Sequence, residues 1–180
     1  TGVRSLEKVA KRCSADTLPS IQQREWSVLI MDVADRVVLI TGASSGVGAA
    51  LATQLGPMGA RVVVNYSRSA EAAEAVVEQI TGAGGQALAV QADVSEEADC
   101  ERLIAATIER FGQLDALVNN AGTTTFVPHD QLDALSEDIW LRTLRVNLIG
   151  AFMMSREAAP HIEAAGGGEI VMTSSIASMT

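Results

Sequence analysis

Thr41-Gly42-Ala43-Ser44-Ser45-Gly46-Val47-Gly48 stands between the apolar run Val37 to Ile40 and an alanine-rich segment with helical periodicity. A glycine-rich turn that joins a strand to a helix is the phosphate site of a dinucleotide-binding βα unit. Each glycine has a reason to be there. Gly42 can take the positive φ needed to leave the strand sharply, Gly46 lets backbone amides approach a pyrophosphate, and Gly48 lets the helix pack closely on the sheet. The helix N-terminus then presents unpaired N–H donors and the positive end of its dipole to an anion. Glycine clusters of this kind also occur in ordinary turns, so the weight of the reading rests on the surroundings.

Those surroundings alternate regularly from Met31 onward: short β-branched runs separated by longer helical segments, the pattern of βαβ units. Strands are expected over 36–40, 61–65, 87–91, 116–118 and 169–173, nearly continuous in apolar residues because helices cover both sheet faces. Helices are expected over 46–58, 70–81, 96–111 and 137–164. Gly59, Gly82 and Gly112 each follow a helical segment where a left-handed cap is wanted, and Ser95 is placed to cap the third helix. Right-handed crossovers then give an α/β fold, a Rossmann-type doubly wound parallel sheet of order 3-2-1-4-5.

Charge and composition narrow the function. The 180 residues carry a net charge of -9, which disfavours nucleic acid because the phosphate backbone would be repelled. No apolar run approaches the roughly 18 residues a membrane span requires. Residues 1 to 30 hold five basic and three acidic residues against eight and nineteen in the remainder, a break that falls at Met31. We therefore read 1–30 as a poorly ordered N-terminal extension, with an upstream stretch, a remnant of a longer chain and a targeting segment as alternatives, and 31–180 as the dinucleotide-binding domain. Cys13, Cys100, His129 and His161 show no metal-ligand spacing, so no metal is expected and the thiols fit a reducing, cytoplasmic setting.

In an open α/β sheet the ligand lies beyond the carboxyl ends of the strands. Strand two ends in Tyr66-Ser67-Arg68, a hydroxyl and a guanidinium where an acid would otherwise meet the ribose diol, and this suits a 2′-phosphate. The alternative is that Arg68 merely starts a solvated helix. Strand three ends in Asp93-Val94, a carboxylate to accept from an adenine amine and an apolar group to pack on its ring, although Asp before a helix is common. After strand four come Asn120, Ala121 and Gly122, where the carboxamide serves either to tie neighbouring strands or to hold a ribose. Asn147 lies among apolar neighbours, as a satisfied core group, a surface residue or a functional one. Hydroxyls in Thr173-Ser174-Ser175 leave strand five where a carbonyl could be polarised.

Taken together these residues resemble the short-chain dehydrogenase/reductase family over about 32 to 180. Thr41-Gly42-x-x-x-Gly46-x-Gly48 is similar to its cofactor motif, with Ser44, Ser45 and Val47 inside it. Asp93-Val94 is similar to its adenine contact and Asn120-Ala121-Gly122 to its sheet-stabilising loop. The resemblance implies that Asn147 is the helix asparagine of the catalytic tetrad and Ser175 the catalytic serine, with Ser174 as the fallback. It also implies NADP(H) rather than NAD(H), a small carbonyl or alcohol substrate, 3-oxoacyl thioesters among the candidates, and a homodimer or homotetramer.

The same resemblance calls for a tyrosine about a dozen residues beyond the serine and a lysine four residues later, which lowers the tyrosine pKa. The only tyrosine is Tyr66, and no lysine follows Lys11. A phenol titrates near 10, and without one there is no general acid to tune, which removes about 10²- to 10⁴-fold in rate. The expectation is a 180-residue chain that lacks the final strands of the full fold and is catalytically inactive. A non-catalytic dinucleotide-binding module and a non-functional gene fragment are the alternatives.

Overall fold

The computed structural model describes residues 33–175; the expected extension over 1–30 lies outside them. Five strands form one sheet: β1 (Val37–Ile40), β2 (Arg61–Tyr66), β3 (Gln86–Gln91), β4 (Ala116–Asn119) and β5 (Glu169–Met172). All four neighbouring pairs are parallel and the order is β3-β2-β1-β4-β5, as the crossover rule requires. The connecting helices are α1 (Gly46–Leu55), α2 (Ala70–Gly82), α3 (Glu97–Phe111), α4 (Glu137–Leu144) and α5 (Ala151–Ala164).

Alternation along β1 divides the interior in two. Val37 and Leu39 point to one face of the sheet, where Leu103 and Ile104 of α3 and Met154 and Ile162 of α5 cover them. Val38 and Ile40 point to the other, against Ala52 of α1 and Ala73, Val76 and Ile80 of α2. Every residue of β1 is buried, which is why its sequence is an unbroken apolar run. Below the sheet, Asp115 fastens the starts of β1 and β4: its carboxylate accepts from the Val37 amide (2.8 Å), Arg36 (2.9 Å) and Gln113 (2.7 Å).

Three expectations need correction. Gly82 is the last helical residue of α2, and the left-handed residue is Gly84, φ 86°. Ser95 does not cap α3, because its hydroxyl turns to the Asp93 carboxylate (2.6 Å) and Glu96 takes the cap position without a side-chain bond. The helix expected over 137–164 contains a π-helical segment, Arg145–Gly150, between α4 and α5. Close approach accompanies this widened turn, since a Cβ on Gly150 would lie 2.8 Å from the Val94 carbonyl oxygen. At the edge of the sheet, β5 is exposed along its length.

Candidate functional site

Side chains at the carboxyl ends of β1, β2 and β4 bind backbone groups of adjacent segments, and this fixes the shape of the site. Thr41, buried at the end of β1, accepts from the amides of Asn120 (2.9 Å) and Ala121 (3.0 Å) and donates to the Val118 carbonyl (3.3 Å). Asn65, also buried, accepts from the Gly42 amide (3.1 Å) and donates to the Ala92 carbonyl (3.0 Å), so it spans from the glycine turn to the end of β3. Asn120 donates to the carbonyls of Thr41 (3.0 Å) and Gly42 (3.2 Å). These contacts satisfy polar groups that would otherwise be costly in the interior.

Gly42 sits at φ 63°, and a Cβ there would lie 2.8 Å from the Ala121 Cα. A Cβ on Gly48 would meet the Asn120 amide nitrogen at 2.5 Å. The close approach expected of Gly48 is therefore to the β4 loop and the turn itself. The Gly42 and Ala43 amides are taken by Asn65, through its side chain and its carbonyl (2.8 Å), and are not phosphate donors. The open donors belong to the first turn of α1, whose N-cap Ser45 makes no side-chain cap bond.

Above the turn is a crevice of about 440 Å³. Gly42, Ser44, Ser45 and Val47 form one wall, with Tyr66, Ser67 and Arg68 from the end of β2 beside them. Asp93 and Val94 from the end of β3, then Asn120, Ala121 and Gly122 after β4, complete it. Gly46, like Gly48, does not line it. The crevice also contains Arg142 of α4 and Thr123, which the sequence did not single out.

Asp93 is already engaged. One carboxylate oxygen accepts from the Ser95 amide (3.0 Å) and hydroxyl (2.6 Å), and the other accepts from Arg142 (2.9 Å). Burial works to raise its pKa, but the Ser95 bonds and Arg142 together hold it below the usual carboxylate value. Asn147 lies in the π segment and clamps Thr123 at two points, accepting from its amide (2.8 Å) and donating to its carbonyl (2.9 Å). It lines a second cavity of about 400 Å³ with Ser155, Thr173 and Ser174. Ser175 lines neither cavity; Ser174, the fallback, faces the second.

Asn65 could have been recognised, since a carboxamide ending the run Val62-Val63-Val64 must find partners. Nothing local distinguishes Arg142. Among the described residues, Glu97, Glu101 and Glu157 bring three carboxylates within 4.8 Å, but Arg156 bonds Glu97 (2.5 Å) and Glu157 (2.8 Å) there.

The family model described as short chain dehydrogenase matches residues 36–180. The chain belongs to the short-chain dehydrogenase family. It is 46% identical over 140 residues to versicolorin reductase 1 of Aspergillus parasiticus, covering 78% of this chain and 52% of that protein. It is 45% identical over 141 residues to a protein of Streptomyces violaceoruber named as a ketoacyl reductase of the granaticin polyketide synthase, covering 78% and 55%. Among solved structures, a short-chain dehydrogenase/reductase from Serratia marcescens superposes with a TM-score of 0.73 at 36% identity, covering 81% of this chain and 57% of the other. The chain spans about half the length of these curated relatives.

Membership of the short-chain dehydrogenases implies a nicotinamide dinucleotide coenzyme, and the crevice suits one. Its floor at Gly42 leaves no room for a side chain, the first turn of α1 is open, and a guanidinium stands at the end of β2. Among the described residues no helix is long and apolar enough to cross a membrane.

Proposed function

We propose that these residues form the coenzyme-binding part of an NADP(H)-dependent oxidoreductase that moves hydride to or from the carbon of a small carbonyl or alcohol. The observation that carries this reading is the wall of the crevice at the end of β2, where Tyr66, Ser67 and Arg68 stand together with no carboxylate among them. A 2′-phosphate there gains charge-assisted hydrogen bonds from Arg68, whereas a bare ribose diol wants an acid. The diphosphate would lie against Ser44, Ser45 and the first-turn amides of α1, the adenine against Asp93 and Val94, and the nicotinamide ribose near Asn120 and Gly122. When bound, the coenzyme supplies or accepts the hydride.

Asn147 holds the Thr123 backbone between the two cavities, and a hydroxyl of Ser174 or Ser175 would hydrogen-bond the substrate oxygen. The names of two relatives, a ketoacyl and a versicolorin reductase, favour ketone substrates, 3-oxoacyl thioesters among them. Within these 180 residues the only tyrosine, Tyr66, lines the crevice beside Arg68, and no lysine follows Lys11. We infer that these residues bind coenzyme, a property that a non-catalytic dinucleotide-binding module would share. Exposed Trp140, Leu141, Leu148 and Phe152 along α4, the π segment and α5 support assembly into a homodimer or homotetramer. The buried free thiol of Cys100 fits a cytoplasmic setting.

Calorimetric titration of the chain with NADPH and NADH tests the reading. NADPH should bind at micromolar levels, and Arg68→Ala should weaken it about tenfold or more while leaving NADH nearly unchanged. Equal losses for the two coenzymes would remove the 2′-phosphate role, and no binding of either would remove the function.

A further inference from the structure

We propose that Arg142 of α4 is a positioning residue for the adenine end of the coenzyme, fixing the direction in which the Asp93 carboxylate accepts a hydrogen bond from an exocyclic amine. The inference deepens the proposed function and rests on it. Three groups form a closed ring: Arg142 donates to Asp93 (2.9 Å) and to the Ser95 hydroxyl (2.8 Å), and that hydroxyl donates to the other Asp93 oxygen (2.6 Å). The Ser95 amide adds a further bond to Asp93 (3.0 Å). The backbone is held as well, since the Asp93 amide donates to the Asp99 carboxylate (2.8 Å).

A carboxylate offers about four acceptor positions, and here three are filled, two on one oxygen and one on the other. The position left lies on the oxygen that Arg142 holds. Ser95 alone fixes only the opposite oxygen, so the guanidinium sets the plane of the carboxylate. The guanidinium does this with two nitrogens in one rigid plane, one on Ser95 and one on Asp93, a direction that the rotatable donors of an ammonium do not fix. Asp93 and Arg142 both line the crevice. Their pairing joins segments 49 residues apart, so the adenine wall is completed by α4.

The test compares NADPH with its hypoxanthine analogue, in which a carbonyl replaces the adenine amine, by calorimetry on the full chain. Wild type should prefer NADPH about tenfold, the worth of one hydrogen bond to a charged group. In Arg142→Ala that preference should fall to within about twofold, while the preference for NADPH over NADH set at Arg68 persists. Arg142→Lys, which keeps the charge without the fork, should recover only part of it. An alanine variant that still discriminates about tenfold overturns the proposal. Should that variant fail to fold by circular dichroism, a lysine variant with full discrimination overturns it equally. Wild type that binds NADPH without preferring it to the analogue refutes the role of Arg142 and leaves the proposed function standing. Wild type that binds neither refutes the proposed function, and this inference with it.

Discussion

β1 and β5 are strands of equal length in one sheet, each paired in parallel with β4, and they read alike: Val-Val-Leu-Ile against Glu-Ile-Val-Met. Yet β1 is buried throughout, and β5 is exposed throughout, Val171 at 45% and Met172 at 54%. Helices on both sides cover β1, while no residue of β5 joins either core cluster among the described residues. An apolar run therefore reports that a strand can be buried, and burial itself depends on elements that arrive from elsewhere in the chain. The functional groups follow the same division. The crevice proposed for the coenzyme rises from the covered end of the sheet around β1, and Ser174 leaves the uncovered strand.

Substitutions should separate the two strands sharply. Leu39→Ala, at a fully buried position of β1, should cost about 4 kcal/mol in urea denaturation through lost burial and the cavity left behind. Gly42→Ala, at the exit of the same strand, should cost about 3 kcal/mol, from a left-handed backbone and a Cβ against Ala121. It should also abolish coenzyme binding in the same titration.

Asp115 tests the covered end from below. Burial works to raise its pKa, but the Val37 amide, Gln113 and Arg36 outweigh it and hold the carboxyl below its ordinary 3.8. A group depressed in this way stabilises the fold fully above that ordinary value, and the contribution is lost as pH falls through the lowered one. Asp115→Asn should cost about 2 kcal/mol at neutral pH, a difference that stays constant down to about pH 4 and shrinks below it. A gap that instead widened in acid would contradict this account.

On β5 the expected effect is smallest. Val171→Lys should leave stability within about 0.5 kcal/mol of wild type and reduce light scattering, because it blunts an exposed apolar strand. A loss comparable to that of Leu39→Ala would mean that β5 is covered in solution and would break the comparison.

Much of the architecture was legible because it is written locally. Alternating β-branched runs and helical periodicity marked all five strands, and the handedness of crossovers ordered them. The π segment around Asn147 was not legible, since its residues fit an ordinary helical pattern and the widened turn accompanies the close packing of Gly150 on Val94. Ser95 misled for a related reason. Its sequence position suits a helix cap, but the Asp93 carboxylate two residues away competes for the hydroxyl and wins.

Sequence alone determined the succession of strands and helices, the sharp turn at Gly42 and the kinds of group at each strand end, because those depend on neighbours within a few residues. Tertiary structure decided the partners. Asn65 takes the Gly42 amide across 23 residues, Arg142 takes Asp93 across 49, and Thr41 takes Asn120 across 79. Such bonds form only when packing brings distant segments within about 3 Å, and local periodicity carries no record of that meeting.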